Sequence, residues 1–145
     1  MIDRQLIGRI VSRHQAEAER GRLRLFAKAI GETGDCWSEE ERLRVPLTFL
    51  FCLDMERPDP YDWYAGAGLE LPKVLHGEQS FTYIRPCFSG DVLSFETRIE
   101  DIYDKKEGKL EFLVKATRVT RVTGMSGLQG EHVADLRTVI VQRHG

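Results

Sequence analysis

The feature that most constrains the fold of this chain is a pair of alternating segments in its second half. Each segment places an apolar residue or threonine at every second position: Leu93, Phe95, Thr97 and Ile99 in the first, and Leu110, Phe112, Val114 and Ala116 in the second. A period of two residues is typical of strands with one buried face, and the turn between them, Lys105 to Gly108, contains a glycine. We therefore predict a β-hairpin whose buried face is formed by these alternating positions.

The remainder of the chain predicts helices first and strands afterwards. Four apolar residues repeat at helical spacing and predict a helix over about 18–30: Leu23, Phe26, Ala27 and Ile30. Gly31 then stands where a helix-ending glycine belongs. The dense apolar run Pro46 to Met55 predicts a buried central helix, although its length also permits a strand. Residues 57–74 carry three prolines and predict an irregular connection. Strands follow from Glu78, the last over Val133 to Arg143, so the fold class is α+β.

Composition indicates an ordinary globular protein. The chain has 145 residues, of which 41% are hydrophobic, and a formal net charge of -2. We therefore expect residues 1–145 to form a single domain, with neither nucleic acid nor a membrane as partner. No window approaches the ~20 apolar residues that a membrane-spanning helix needs. The cysteines Cys36, Cys52 and Cys87 lack CxxC spacing, which favours reduced thiols, a cytoplasmic location and no metal site. No motif indicates a cofactor.

Four short motifs follow one another along the chain. They are Val45 to Phe49 (VPLTF), Leu75 to Phe81 (LHGEQSF), Arg85-Pro86 and Gly90-Asp91. In order and spacing they resemble the "PPTF", "LHGEQ-F" and "RP…GD" motifs of the N-terminal type of MaoC-like dehydratase domain. The resemblance covers nearly the whole chain and implies a hot-dog fold, in which one curved antiparallel sheet wraps around a central helix. It also implies activity on enoyl or 3-hydroxyacyl thioesters.

The resemblance identifies Phe26 to Trp37, FAKAIGETGDCW, as the hydratase segment, with its acid-base pair altered. The family places an Asp just after the helix-ending glycine and a His five residues later, whereas this chain has Glu32 and Trp37. We predict Glu32 as a catalytic residue and Trp37 as a substrate contact. Indole nitrogen does not accept a proton, and a carboxylate displaced by roughly 1 Å can lose ~100-fold in rate. The alternative is that Glu32 is a polar loop residue and Trp37 a core aromatic.

A second group of candidates lies in and beside the later motifs. His76 is predicted as a substitute acid-base residue, and the alternative is a structural histidine bonded to backbone. Glu78 and Arg85 are predicted substrate contacts. Trp63 and Tyr64 belong to an aromatic and acidic patch in the connection 57–74. That patch is either packed on the sheet, a subunit contact, or a lid over an acyl tunnel.

Two further sets of polar residues are weaker candidates. Asp54 and Glu56 end the apolar run, where hot-dog thioesterases carry a carboxylate on the central helix, but their position suggests a helix end that reaches solvent. The histidines His14, His132 and His144 lie in polar or terminal sequence and are expected to be exposed.

These observations lead to one preferred function and two alternatives. The preferred function is an enoyl-thioester hydratase or 3-hydroxyacyl dehydratase, acting on acyl-CoA or acyl-carrier thioesters as the substrate-holding, catalytically degenerate subunit of a pair. The alternatives are a non-enzymatic acyl-thioester scaffold and a hot-dog thioesterase. Because a lone hot dog leaves one sheet edge open, we expect a dimer or higher homo-oligomer, or a hetero-oligomer with a second hot-dog subunit. Basic residues cluster in two places, at Arg20, Arg22, Arg24 and Lys28 and at Lys105-Lys106. They are either solvated helix and turn positions or contacts for the phosphates of a CoA or carrier-protein thioester.

Overall fold

A computed structural model of the protein describes residues 1–32, 42–123 and 130–144. Its strands form one antiparallel sheet in the order β1-β3-β4-β5-β2. The strands are β1 (Ile10–Glu17), β2 (Val74–Tyr83), β3 (Val92–Lys105), β4 (Leu110–Thr123) and β5 (His132–Arg143). The helices are α1 (Arg20–Ala29) and α2 (Phe49–Asp54), with short 3-10 turns at Arg4–Leu6, Ala65–Ala67 and Leu71–Lys73. No helix in these ranges is long and apolar enough to cross a bilayer.

The first helix ends as the sequence predicts. α1 lies within the predicted range 18–30, and Gly31 takes a left-handed conformation with φ of +78°. Its N–H donates to the Lys28 carbonyl at 3.2 Å, and the Glu32 N–H donates to the Ala27 carbonyl at 2.9 Å. This pair of bonds is a Schellman closure, which satisfies carbonyls at the helix end. The closure also fixes the backbone of Glu32.

The β3–β4 hairpin forms, but the predicted buried face is right in only one strand. In β3, Leu93, Phe95, Thr97 and Ile99 are all at most 2% exposed. In β4 the inner face is instead formed by Glu111, Leu113, Lys115, Thr117, Val119 and Arg121, all buried. Cross-strand pairing explains this, because Lys115 stands opposite Ile99 and Thr117 opposite Thr97. Opposed residues in a sheet share a face, so charged residues of β4 point inward.

Two apolar clusters cover the inner face of the sheet. The first is built on α1, α2 and their flanking loops, and includes Leu23, Phe49, Leu50, Leu53, Phe95, Val119 and Leu136. The second joins the connection 57–74 to the other end of the sheet, through Ile2, Tyr64, Ala67, Leu69, Ile102, Leu113 and Ile140. A row of polar side chains, here called the polar belt, lies where the clusters meet: Asp54, Thr97, Lys115, Thr117 and Thr138, each at most 8% exposed.

A β-bulge in β2 decides which of its residues face α2. His76 pairs with Ile140, but the next paired residue is Glu78, opposite Val139, so Gly77 is the extra residue. His76 therefore shares the inner face with Ile140, whereas Glu78 faces the opposite side. Glycine is required there, because an added Cβ would lie 2.9 Å from the Val141 side chain.

Candidate functional site

The hydratase segment leads into a shallow cleft at the start of α2. Glu32 is exposed and lines this cleft of about 250 Å³ with Arg44, Val45, Pro46 and Leu47. The loop before α2 is held in place because the Val45 N–H donates to the Cys87 carbonyl at 2.8 Å. We call this the Glu32 cleft. It combines a carboxylate that could act as a base with the guanidinium of Arg44.

Tyr83 closes one side of the region around the Glu32 cleft. Its hydroxyl donates to the Leu47 carbonyl at 2.6 Å. Burial raises the pKa of Tyr83, with Cys87 adding to the shift and Arg44 opposing it. The phenol is therefore a neutral hydrogen-bond donor already used by the loop, and not a free acid.

A second cavity, of about 190 Å³, lies at the other end of α2 under the connection 57–74. Its lining is mainly aromatic and aliphatic: Phe51, Met55, Tyr61, Tyr64, Leu71, Val74, Leu75, His76, Lys115, Thr138 and Ile140. We call it the aromatic cavity. The imidazole of His76 packs edge-on against Phe51, with ring centroids 5.4 Å apart. A mostly apolar cavity with a few polar groups is the usual form of a small-molecule site.

The two predicted catalytic residues do not meet within this chain. Glu32 lines the cleft before α2, and His76 lines the cavity beside the middle and end of the same helix. α2 has 6 residues, which span roughly 9 Å at 1.5 Å per residue. A carboxylate and an imidazole that share one water must both lie within hydrogen-bond reach of it. Within the described residues, Glu32 and His76 therefore do not form an acid-base pair in one protomer.

The predicted substrate contacts are distributed over several places. Tyr64 lines the aromatic cavity, and Trp63 packs edge-on against it with centroids 4.6 Å apart. Glu78 lies exposed on the face of β2 that the bulge turns away from α2. Trp37 lies outside the described residues. The connection 57–74 packs on the sheet, which is the first of the three predicted alternatives. It also forms a wall of the aromatic cavity.

Arg85 belongs to a structural network and not to either cleft. Its Nε lies 3.3 Å from a carboxylate oxygen of Glu131. Glu131 also pairs with Arg121, which is only 1% exposed and donates to the Pro86 carbonyl at 2.7 Å and to Asp91 at 3.2 Å. The motifs Arg85-Pro86 and Gly90-Asp91 are thus held by one buried guanidinium, which explains their spacing in physical terms.

The sequence did not indicate the charged pair beside the aromatic cavity. Asp54 was expected to reach solvent, but it is 5% exposed and accepts a hydrogen bond from Lys115 Nζ at 2.9 Å. Its neighbour Glu56 does reach solvent and pairs with Arg22. The helix simply ends with one carboxylate facing the sheet and the other facing outward. A lysine on the inner face of β4 would have indicated a buried partner. The predicted face of β4 places Lys115 outward, so the sequence contains no such indication.

The three histidines expected to be exposed are half-buried and hydrogen-bonded. His14 Nε2 lies 2.9 Å from the Leu53 carbonyl, and its ring stacks on Phe95 with centroids 5.0 Å apart. His132 bonds Asp135 at 2.9 Å, and His144 bonds Glu111. Each histidine is therefore held by a hydrogen bond within the protein, whereas the sequence predicts a solvated side chain.

Sequence comparison places the chain in a family. The profile of the family described as "FAS1-like, dehydratase domain region" matches residues 5–136. A UPF0336 protein from Streptomyces griseus is 30% identical over 110 residues, which are 70% of this chain and 73% of that protein. The family match includes every residue that lines the two clefts except Thr138 and Ile140.

Solved structures show the same fold. The C-terminally truncated HadBC (3R-hydroxyacyl-ACP dehydratase) complex from Mycobacterium tuberculosis aligns with a TM-score of 0.75 at 23% identity, covering 94% of this chain and 96% of that chain. A MaoC-like dehydratase from Phytophthora capsici aligns with a TM-score of 0.74 at 23% identity, covering 99% of this chain and 50% of that chain. The predicted α+β hot-dog fold and the predicted likeness to MaoC-like dehydratases are confirmed, and the chain belongs to the family described as FAS1-like, dehydratase domain region.

Proposed function

We propose that this chain is the acyl-binding subunit of a pair of hot-dog proteins that hydrates enoyl thioesters and dehydrates 3-hydroxyacyl thioesters. One observation carries the proposal. Glu32 and His76, the two candidate acid-base residues, line separate clefts, whereas the aromatic cavity offers an apolar site for an acyl group. The described residues therefore offer a place for the substrate, but Glu32 and His76 do not converge on it.

The chemistry explains why a second subunit is needed. Hydration requires a base that activates water at C3 of the enoyl group and an acid that protonates C2. Glu32 can supply a carboxylate at its cleft, but Trp37 has no basic nitrogen to complete the pair. Loss of general acid-base catalysis costs ~10²–10⁴-fold in rate. A partner that retains the Asp and His of the family would supply what this chain lacks.

The surface beside the aromatic cavity suits the carrier of a thioester. An open cavity of about 480 Å³ is lined by Pro72, Lys73, Leu75, Lys106, Lys109, Leu110, Arg143 and His144, with no carboxylate among them. Leu75 also lines the aromatic cavity. Phosphates of CoA or of a phosphopantetheine arm are anions that such a basic surface attracts.

A partner subunit fits the fold and the comparisons. The HadBC structure is a complex of two subunits, and we propose an equivalent assembly for this chain, or a homodimer where the partner is absent. β2 ends the sheet, and Leu47, Leu75 and Ile84, which lie on or next to it, are 58%, 50% and 43% exposed. An edge strand with exposed apolar neighbours favours a protein contact. We place the assembly in the cytoplasm.

A thioesterase would need a carboxylate free to activate water. Asp54 does not fill that role, because its side chain is 2% exposed and bound to Lys115. An acyl-thioester scaffold without chemistry is the remaining alternative. It predicts binding of the thioester with no turnover, whether or not a catalytic partner is present.

The test is hydration of crotonyl-CoA and longer enoyl-CoAs by the purified chain, alone and with a second hot-dog protein that retains the Asp and His. We expect near-background turnover alone, turnover with the partner, and binding of enoyl-CoA by the chain itself. Robust turnover by the chain alone that is lost in Glu32→Ala would overturn the proposal. Turnover lost only in His76→Ala would place the chemistry in the aromatic cavity.

A further inference from the structure

The wall of the aromatic cavity holds a buried charge that an acyl-binding site does not need. Lys115 lines the cavity, whereas Asp54, which accepts its hydrogen bond at 2.9 Å, does not. The side chains are 10% and 2% exposed. The Asp54 carboxylate therefore binds the Lys115 ammonium on the side that does not face the cavity. An ammonium has three N–H donors, and within the described residues only the one to Asp54 is matched.

Tyr64 adds a second donor to the same cavity. The residue is 9% exposed and lines the cavity together with His76 and Thr138. Burial, with smaller contributions from Tyr61 and Asp54, raises the pKa of Tyr64 to about 12. The phenol thus keeps its proton at neutral pH, and none of the hydrogen bonds found among the described residues uses it. Thr138, in contrast, already donates to Gln79 at 2.8 Å.

The charge balance decides which ligand group these donors suit. A plain alkyl chain would cover the donors and leave them without acceptors, which is unfavourable. A carboxylate would lose its hydration beside a lysine whose charge Asp54 already offsets. A neutral oxygen, as in a hydroxyl or keto group, accepts from both donors without adding charge.

We propose that the aromatic cavity selects acyl groups that carry a further neutral oxygen acceptor, hydroxyl or keto, beyond the reacting carbons C2 and C3, and that this oxygen bonds the Lys115 ammonium and the Tyr64 hydroxyl. This specificity rests on the proposed function, since it presumes that the acyl group occupies this cavity. The volume of about 190 Å³ is that of roughly six water molecules in the liquid, at about 30 Å³ each. The cavity therefore suits a short oxygenated segment and not a long hydrocarbon tail.

The test is calorimetric binding of four matched thioesters: hexanoyl-, 5-hydroxyhexanoyl-, 5-oxohexanoyl- and adipoyl-CoA. We expect the 5-oxo and 5-hydroxy compounds to bind about tenfold more tightly than hexanoyl-CoA, and adipoyl-CoA to bind more weakly than both. Tyr64→Phe should reduce that preference to about threefold or less. Tyr103→Phe is the control, because the Tyr103 ring stacks on Phe112 and does not line the cavity. It should leave the affinities for all four thioesters unchanged.

Lys115→Met alone would leave the buried Asp54 carboxylate without its partner. The companion variant therefore combines Lys115→Met with Asp54→Leu, and its folding is checked by circular dichroism. Equal binding of all four thioesters by the wild type, or a preference that survives both variants, overturns the inference. If no acyl-CoA binds more tightly than CoA itself, the proposed function fails. The cavity is then probed with hexan-2-one by NMR: shifts of His76 resonances in wild type but not in Tyr64→Phe still support the inference, and their absence overturns it.

Discussion

Single buried residues in this protein are stabilised by partners far away in sequence. Arg121 binds Asp91, Glu131 and the Pro86 carbonyl, and Lys115 binds Asp54 across 61 positions. Buried charges are tolerated because each is paired and hydrogen-bonded. Removing one member is costly, since it leaves the other buried and uncompensated.

Arg121→Met should therefore destabilise the protein strongly, by about 3–5 kcal/mol of unfolding free energy. The measurement is urea unfolding followed by circular dichroism. Arg118→Met is the matched control, because Arg118 lies on the same strand with its side chain 65% exposed and 3.9 Å from Asp135. Exposed pairs contribute ~0–1 kcal/mol. Similar small losses in both variants would contradict the role given to Arg121.

Glu111 makes stability depend on pH. Burial alone would raise its pKa, but hydrogen bonds from the Ile2 N–H and the His144 ring, and a weaker one from Gln142, lower the pKa below its ordinary 4.5. As pH falls below about 4.5, the unfolded chain therefore takes up this proton before the folded one does, and unfolding becomes easier. The stabilisation is present above that pH and is lost as pH falls through the lower folded pKa.

Glu111→Gln tests this linkage, because glutamine keeps the shape but does not titrate. Unfolding midpoints measured between pH 6 and pH 3 should fall less steeply for Glu111→Gln than for the wild type. Glu107→Gln, in the turn between β3 and β4, is the control and should follow the wild-type slope. Parallel curves for wild type and Glu111→Gln would show that Glu111 does not carry the acid sensitivity.

At the scale of elements, the bulge in β2 is the device that builds the aromatic cavity. It turns His76 toward α2 and places Glu78 on the opposite face. Gly77→Ala should destabilise the protein by about 1–3 kcal/mol, because the new Cβ would stand 2.9 Å from Val141 Cγ2 and 3.1 Å from the Val139 carbonyl. It should also shift the NMR resonances of His76.

Gly21→Ala is the matched control for that substitution. Gly21 lies in α1 with no atom within 4 Å of an added Cβ, so alanine should stabilise the helix by about 0.5–1 kcal/mol. In thermal unfolding, we expect Gly77→Ala to lower the midpoint temperature and Gly21→Ala to raise it. If Gly77→Ala matches or exceeds the wild type in stability, the close approach of β2 to β5 is not a constraint.

Local patterns predicted the parts of the fold that local physics decides. Gly31 ends α1, and the β3 alternation gave the correct buried face. The β4 face was wrong because Glu111, Lys115 and Arg121 face inward only through partners 109, 61 and 30 positions away. No short window of sequence contains those partners, so the alternation in β4 alone predicts the wrong inner face.

The candidate site was predicted less completely than the fold. The candidates His76 and Tyr64 line one cavity, but the ion pair between Lys115 and Asp54 was not predicted, for the same long-range reason. His76 and Glu78 are both candidates and stand two positions apart in β2. The single extra residue Gly77 places them on opposite faces of the strand, and a bulge of that kind leaves no distinct pattern in one sequence.

For the whole molecule, the two edges of the sheet differ. β1 ends one side, and its residue Arg13 pairs with Glu96. β2 ends the other side, with exposed Leu75 in the strand and exposed Ile84 directly after it. Charged side chains discourage edge association, and apolar ones encourage it. The β2 side is therefore the side on which we expect another subunit.

We expect the chain expressed alone to form at least a dimer through the β2 side. Light scattering at micromolar concentration should give a mass of twice the 16.6 kDa chain or more. Leu75→Asp should shift the mass toward the monomer, because it buries a carboxylate in the contact. Ile7→Asp is the matched control, since Ile7 is 45% exposed but lies just before β1, and it should leave the mass unchanged. A wild-type mass near 16.6 kDa at every concentration would contradict the predicted dimer. Loss of association in Ile7→Asp but not in Leu75→Asp would show that the contact lies on the β1 side.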